Sequence, residues 1–215
     1  MRRTAIGLFL LAALGASAAD DFVTIFDGKS GDGWVTNDPK RPLPKANVQD
    51  DGLNPHKSGG YLVVHERPHR DFLLDFDYEL TKGCNSGIFL RVGDLHDPVM
   101  TGLEVAILDS TGTGLHDTGA FYDLAPARVN TQKPAGEWNH MTVTARGPKL
   151  AVRLNDQDVL DIDLDAFDKP GMRPDGTRHK FGKVTVKDFN RAGFFGFQDH
   201  GNNCLYKNIW IKTFD

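Results

Sequence analysis

Short apolar runs recur along the chain, some alternating with polar residues and some continuous, each closed by Gly, Pro, Asn or Asp. That pattern predicts β-strands over residues 61–64, 72–80, 87–92, 103–108, 138–146, 150–154, 194–198 and 205–213. Arg146-Gly147-Pro148-Lys149 reads as a hairpin turn, and Asn155-Asp156-Gln157-Asp158 as another, with 159–162 as its returning strand. No window carries a long apolar stripe at helical spacing. Many short strands with turns between them point to an all-β, two-sheet antiparallel sandwich or a barrel. Three stretches resist a strand reading: 35–60, 109–136 and 163–192. Loops of that length in a compact domain are usually functional or disordered. Gathered at the sheet ends they would wall a cleft; the plainer alternative is solvated decoration.

The N-terminus changes the picture first. Arg2 and Arg3, the apolar stretch from Ala5 to Leu14, and Ala16-Ser17-Ala18 read as a secretory signal over residues 1–19. Residues 20–215 would then be one exported domain, periplasmic or secreted. No later stretch approaches the roughly 20 apolar residues of a membrane span. A net charge of −4 and a pI near 6.0 offer no basic surface for nucleic acid. The two cysteines, Cys84 and Cys204, would pair in an oxidising compartment or stay as buried thiols.

Candidate chemistry falls on three strands. In Leu103–Leu108, alternation puts Glu104, Ala106 and Leu108 on one face. A carboxylate among apolar strand residues is costly to bury unless it is paired or faces a cleft, so Glu104 reads as a cleft residue. Asp109 falls on the other face and reads as a strand-end residue. In Asn85-Ser86-Gly87-Ile88-Phe89-Leu90-Arg91, parity places Asn85, Phe89 and Arg91 together, with Arg91 able to hold a carboxylate or a sugar hydroxyl. In Gln198-Asp199-His200-Gly201, Gln198 and His200 would point one way and Asp199 the other. A histidine there would be an acid, a base, a metal ligand or simply structural. The run Asp156, Asp158, Asp161, Asp163 and Asp165 lacks the glycine-bearing loop of an EF-hand and reads as a solvated face. Zincin, nucleophile-elbow and phosphate-loop motifs are missing from the sequence.

Taken in order, these pieces resemble a known family. Phe26-Asp27-Gly28-Lys29 with Gly33-Trp34 and Asp71-Phe72 opens the match, followed by the Asn85 and Glu104 segments. Thr118-Gly119-Ala120-Phe121-Tyr122, Lys133-Pro134-Ala135-Gly136-Glu137-Trp138-Asn139, Gln198-Asp199-His200-Gly201 and Lys207-Asn208-Ile209 complete it. The chain is similar to the 3-keto-disaccharide hydrolase family over nearly all of its mature length. The resemblance implies a concanavalin A-like jelly roll of the lectin and glucanase type. It also implies cleavage of glycosides already oxidised to a ketone at C3. Such a ketone acidifies the C2 proton, so a base can remove it, the C1 oxygen can leave, and water can add to the enone. Chemistry of this kind needs a base, an enolate stabiliser and a proton source. No cofactor is certain; a bound divalent metal is one possible stabiliser. Glu104 and His200 match family positions as candidates for base, acid or metal ligand. Asn85, Arg91, Tyr122 and Gln198 would orient sugar hydroxyls. The sequence departs from the family at Ala106, where glutamine is frequent, and 35–60 is poorly matched.

Two other functions compete. A jelly-roll glucanase would want carboxylates at the first, third and sixth positions of one strand; here they are Glu104, Ala106 and Asp109. A non-catalytic carbohydrate-binding module would use Trp34, Phe121, Tyr122 or Trp138 as stacking platforms.

Overall fold

Alternating burial along the strands builds two facing sheets. The computed structural model describes residues 21–38 and 40–214; the expected signal segment lies outside the described residues. The strands in chain order are β1 (Val23–Phe26), β2 (Trp34–Thr36), β3 (Val48–Gln49), β4 (Gly52–Leu53), β5 (Leu62–His65), β6 (Phe72–Leu80), β7 (Asn85–Val92), β8 (Leu103–Leu108), β9 (Asn139–Arg146), β10 (Lys149–Leu154), β11 (Gln157–Asp163), β12 (Phe194–Gln198) and β13 (Cys204–Thr213). Among the described residues one short α-helix, α1 (Pro98–Thr101), precedes β8. All the strand pairings are antiparallel. One sheet runs β11-β10-β9-β6-β13-β4-β3, with β1 also on β13, and the other runs β2-β5-β12-β7-β8. This is the expected all-β jelly-roll sandwich.

The clearest strand signal in the sequence is β6. Phe72, Leu74, Phe76, Tyr78 and Leu80 are all buried, and the residues between them face outward. Their inward face meets Ile88 and Leu90 of β7, Val105 and Ile107 of β8, and Phe195 and Phe197 of β12 in one core. Phe76 lies edge-on to Phe197 at 5.3 Å, and Phe197 stacks on Tyr206 at 3.9 Å. Phe76→Ala would leave a void at the centre of this cluster, a change that typically costs about 3–5 kcal/mol. Cys84 and Cys204 are free thiols, both buried. The neighbouring Cys204 thiol lowers the Cys84 pKa, while burial raises that of Cys204.

Sequence and structure part company in 35–60. That stretch holds β3 and β4, strands of two residues each, too short to leave a periodic signature. The long segments 109–136 and 163–192 form no named strand beyond the ends of β8 and β11; they cross the molecule in turns, isolated bridges and short 3₁₀ pieces. The acidic run is a solvated face: Arg153 pairs with Asp158, Arg128 with Asp161, Lys149 with Asp163 and Arg191 with Asp165.

Candidate active site

The outer face of the five-stranded sheet gathers most of the candidate residues. Across β7 and β8, Phe89 faces Glu104 and Gly87 faces Ala106. Across β12, Gly196 faces both Phe89 and Val64, and Gln198 faces Leu62. Glu104, Phe89, Gly87, Gly196 and Gln198 therefore share one surface. Glycine at 87 is what lets the Glu104 side chain lie flat there. A Cβ on residue 87 would sit 3.0 Å from Glu104 Oε1 and 3.2 Å from its Cγ. Tyr61, just before β5, sets its ring edge-on to Phe89 at 5.9 Å.

Two long loops close over Glu104. Tyr122 donates its main-chain N–H to the Glu104 carbonyl at 2.8 Å. From the other loop, Lys180 brings its ammonium to 3.9 Å from Glu104 Oε2 and 4.8 Å from the centre of the Tyr122 ring. Glu104 is only 7% exposed. Burial raises its carboxyl from 4.5 to about 7, against the pull of Lys180. Burial likewise lowers the Lys180 pKa, opposed by Glu104 and Asp123. For both partners desolvation outweighs their mutual attraction, raising the acid and lowering the amine. The Tyr61 and Tyr122 phenols are raised too, by burial first and by the Glu104 charge among lesser causes. Gln198 Nε2 donates to the Tyr61 hydroxyl. The buried Gln198 Oε1 has no hydrogen-bond partner among the described residues.

Of the six residues singled out by sequence, Glu104, Tyr122 and Gln198 converge here. Asn85 stands on the same face at the end of β7, opposite Leu108. Arg91 does not face the cleft, contrary to expectation. A β-bulge interrupts the β7–β12 register and Arg91 takes a φ of 53°, so strand parity fails at that residue. Its buried guanidinium bonds to Asp71 Oδ1 at 3.1 Å, the Gly147 carbonyl at 2.7 Å and the Arg70 carbonyl at 3.2 Å. It ties the two sheets together at one end. His200 is exposed in the loop after β12, and among the described residues no hydrogen bond or ion pair links it to Glu104. The strand stops at Gln198, so alternation no longer governs residue 200. Neighbouring Asp199 is held away by His56 Nδ1 at 3.2 Å and the Lys57 N–H at 2.8 Å.

Sequence reasoning missed Lys180 and Tyr61. Lys180 lies in a polar, irregular stretch where nothing marks one lysine from the next, and Tyr61 reads only as the start of a strand. The residues around Glu104 do not fit a divalent metal. An ammonium and two phenols surround a single carboxylate, and no group of three or more His, Cys, Asp or Glu among the described residues is placed to hold an ion. Asp109 is no partner carboxylate either, since it accepts the Gly83 N–H at 2.7 Å. A depression of about 540 Å³ beside Trp34, Leu43 and Lys45 gathers no comparable cluster.

Known proteins share this architecture. A 3-keto-disaccharide hydrolase of Bacteroides thetaiotaomicron is 26% identical over 231 residues, covering 92% of this chain and 80% of the relative. A crystal structure from Parabacteroides distasonis, described as a candidate glycosyl hydrolase, is 26% identical with a TM-score of 0.68, over 71% of this chain and 83% of that one. A second structure of the same description and organism is 20% identical with a TM-score of 0.71, covers 92% and 95% of the two chains, and shares the fold. The model of the 3-keto-alpha-glucoside-1,2-lyase-like domain matches residues 21–212, and the chain belongs to that family.

Proposed function

We propose that this protein cleaves 3-keto-glycosides by elimination across C1 and C2, with Glu104 as the base. One observation carries the reading: a buried carboxyl with a pKa near 7 stands beside the Lys180 ammonium on the outer sheet face. The ionised carboxylate takes the proton from C2, and the C2–H electron pair moves into the C2–C3 bond as an enolate. Lys180 lies where an ammonium can stabilise the developing negative oxygen at C3. Collapse of the enolate re-forms the C3 carbonyl, makes the C1–C2 double bond and expels the C1 oxygen, which takes a proton from Tyr61 or Tyr122. Addition of water to the enone at C1 then gives net hydrolysis, matching the name of the Bacteroides relative. Gln198 and Asn85 orient sugar hydroxyls from the same sheet face. His200, exposed nearby in the chain, would act at the rim rather than on C2.

A base with a pKa close to neutrality balances ionisation against basicity. Two-carboxylate hydrolysis finds no second carboxylate, because Asp109 is committed to the chain. A binding module relying on Trp34 or Phe121 as platforms is also disfavoured, since both rings are buried. The test is turnover of a synthetic 3-keto-glucoside beside its unoxidised parent. Release from the ketone alone supports elimination, and equal release from both defeats it.

A further inference from the structure

Lys180 and Tyr122 come from two segments that share no named strand, yet both reach Glu104. What joins them is Asp123. Its φ of 56° turns its main chain and side chain toward the segment bearing Lys180. Asp123 Oδ2 accepts the Lys180 main-chain N–H at 2.5 Å. Asp123 Oδ1 accepts from Arg173 Nη2 at 2.5 Å, and the Asp123 carbonyl takes Arg173 Nε at 3.0 Å and Nη2 at 2.8 Å. The Arg173 side chain is 9% exposed and that of Asp123 19%. One residue thus grips the second segment at two points seven positions apart, and its neighbour Tyr122 is itself fixed to the Glu104 carbonyl.

We propose that Asp123 is the positioning residue that assembles this site, holding the 163–192 segment against the 109–136 segment so that the Lys180 ammonium lands beside Glu104. Asp123 acts through Lys180 and touches no reacting atom. The inference rests on Glu104 and Lys180 working as a pair, as proposed above. The bonds to a main-chain N–H and to a forked guanidinium also give a reason for a carboxylate here, because only an acceptor-only group with two oxygens serves both partners.

Titration of the Glu104 carboxyl gives a readout that a merely structural role would not move. The chain has four glutamates, so ¹³C-labelled glutamate gives few signals, and Glu104→Gln assigns one of them. In Asp123→Asn we expect the Glu104 midpoint to rise from about 7 by about half a unit or more, as the lysine that lowers it is displaced. Loss of the Asp123 charge alone would push that midpoint down, so the direction separates positioning from simple electrostatics. Lys180→Met should raise the midpoint alike, and the double variant should go no further than Lys180→Met. Arg173→Gln, which loosens one grip and keeps Asp123, should give a smaller rise should Asp123→Asn fold poorly. A midpoint that holds or falls in the folded variants, or two shifts that simply add, overturns the proposal. Failure of the wild type to turn over a 3-keto-glucoside would sink the proposed function, while the titration would still decide the role of Asp123.

Discussion

Glu104 and Lys180 stand 3.9 Å apart with neither charge well solvated. Burial moves each toward its neutral form, raising the acid and lowering the amine, while each opposes the shift in the other. A surface pair of this kind would be worth little. On a closed sheet face the same two groups hold a carboxyl near neutrality beside a cation, which under the proposed function are the base and the partner of the enolate.

Glu104→Gln should keep the fold and lose turnover of a 3-keto-glucoside by about 10²-fold or more, the usual cost of removing a general base. Stability should separate as well. The Glu104 pKa is raised from 4.5 to about 7, so the stability it contributes is fully present below pH 4.5 and is lost as pH rises through about 7. Melting curves of wild type and variant should therefore diverge in favour of Glu104→Gln across that window. A wild type that gains on the variant with rising pH would contradict the buried assignment.

Gly87→Ala tests whether the floor must stay bare. The added methyl meets Glu104 Oε1 at 3.0 Å and the Val105 carbonyl at 3.1 Å, so the carboxylate has to move. The expected result is a drop in kcat of about tenfold or more, since a shift near 1 Å in a reacting group can cost up to 10². Unchanged kcat would mean that Glu104 has room to spare.

Arg91→Met addresses the residue that parity misplaced. Removing a buried guanidinium strands Asp71 and two carbonyls, and breaking a buried pair from one side typically costs about 3–5 kcal/mol. Denaturant unfolding should show a loss of that order, while activity per folded molecule stays near wild type. A large fall in activity with stability intact would return Arg91 to the substrate.

On the outer face of the larger sheet, His140 bridges Asp75 at 3.2 Å and Asp77 at 2.9 Å. The hydrogen bond to Asp75, opposed by burial and helped by Asp77, raises its pKa from 6.5 to about 9. Its stabilising effect is full below about pH 6.5 and disappears as pH rises through about 9. The melting-temperature gap between wild type and His140→Gln should shrink over that range. Added salt should narrow it too, because His140 is partly exposed. A gap that is constant with pH would mean that the imidazole is not charged there.

The sandwich was legible because β6, β9 and β13 announce themselves by alternation, and Glu104 because a carboxylate in Leu103–Leu108 has no cheap place to go. Alternation holds only while the strand stays regular. It placed Gln198 on the sheet face, then failed at Arg91, where a bulge turns the side chain, and at His200, beyond the strand end. Lys180 was out of reach of the sequence for a different reason. Its place is set by long-range bonds from Asp123, across a separation of 57 residues, and no local pattern encodes such a contact.

The most direct measurement uses a 3-keto-glucoside carrying deuterium at C2, with wild type and Glu104→Gln assayed side by side. Proton removal by Glu104 predicts a primary isotope effect on kcat/KM in the wild type, with turnover by Glu104→Gln about 10²-fold or more below it. A wild type that turns over both substrates at one rate, together with a Glu104→Gln variant near full activity, would contradict the account and move the chemistry to other residues.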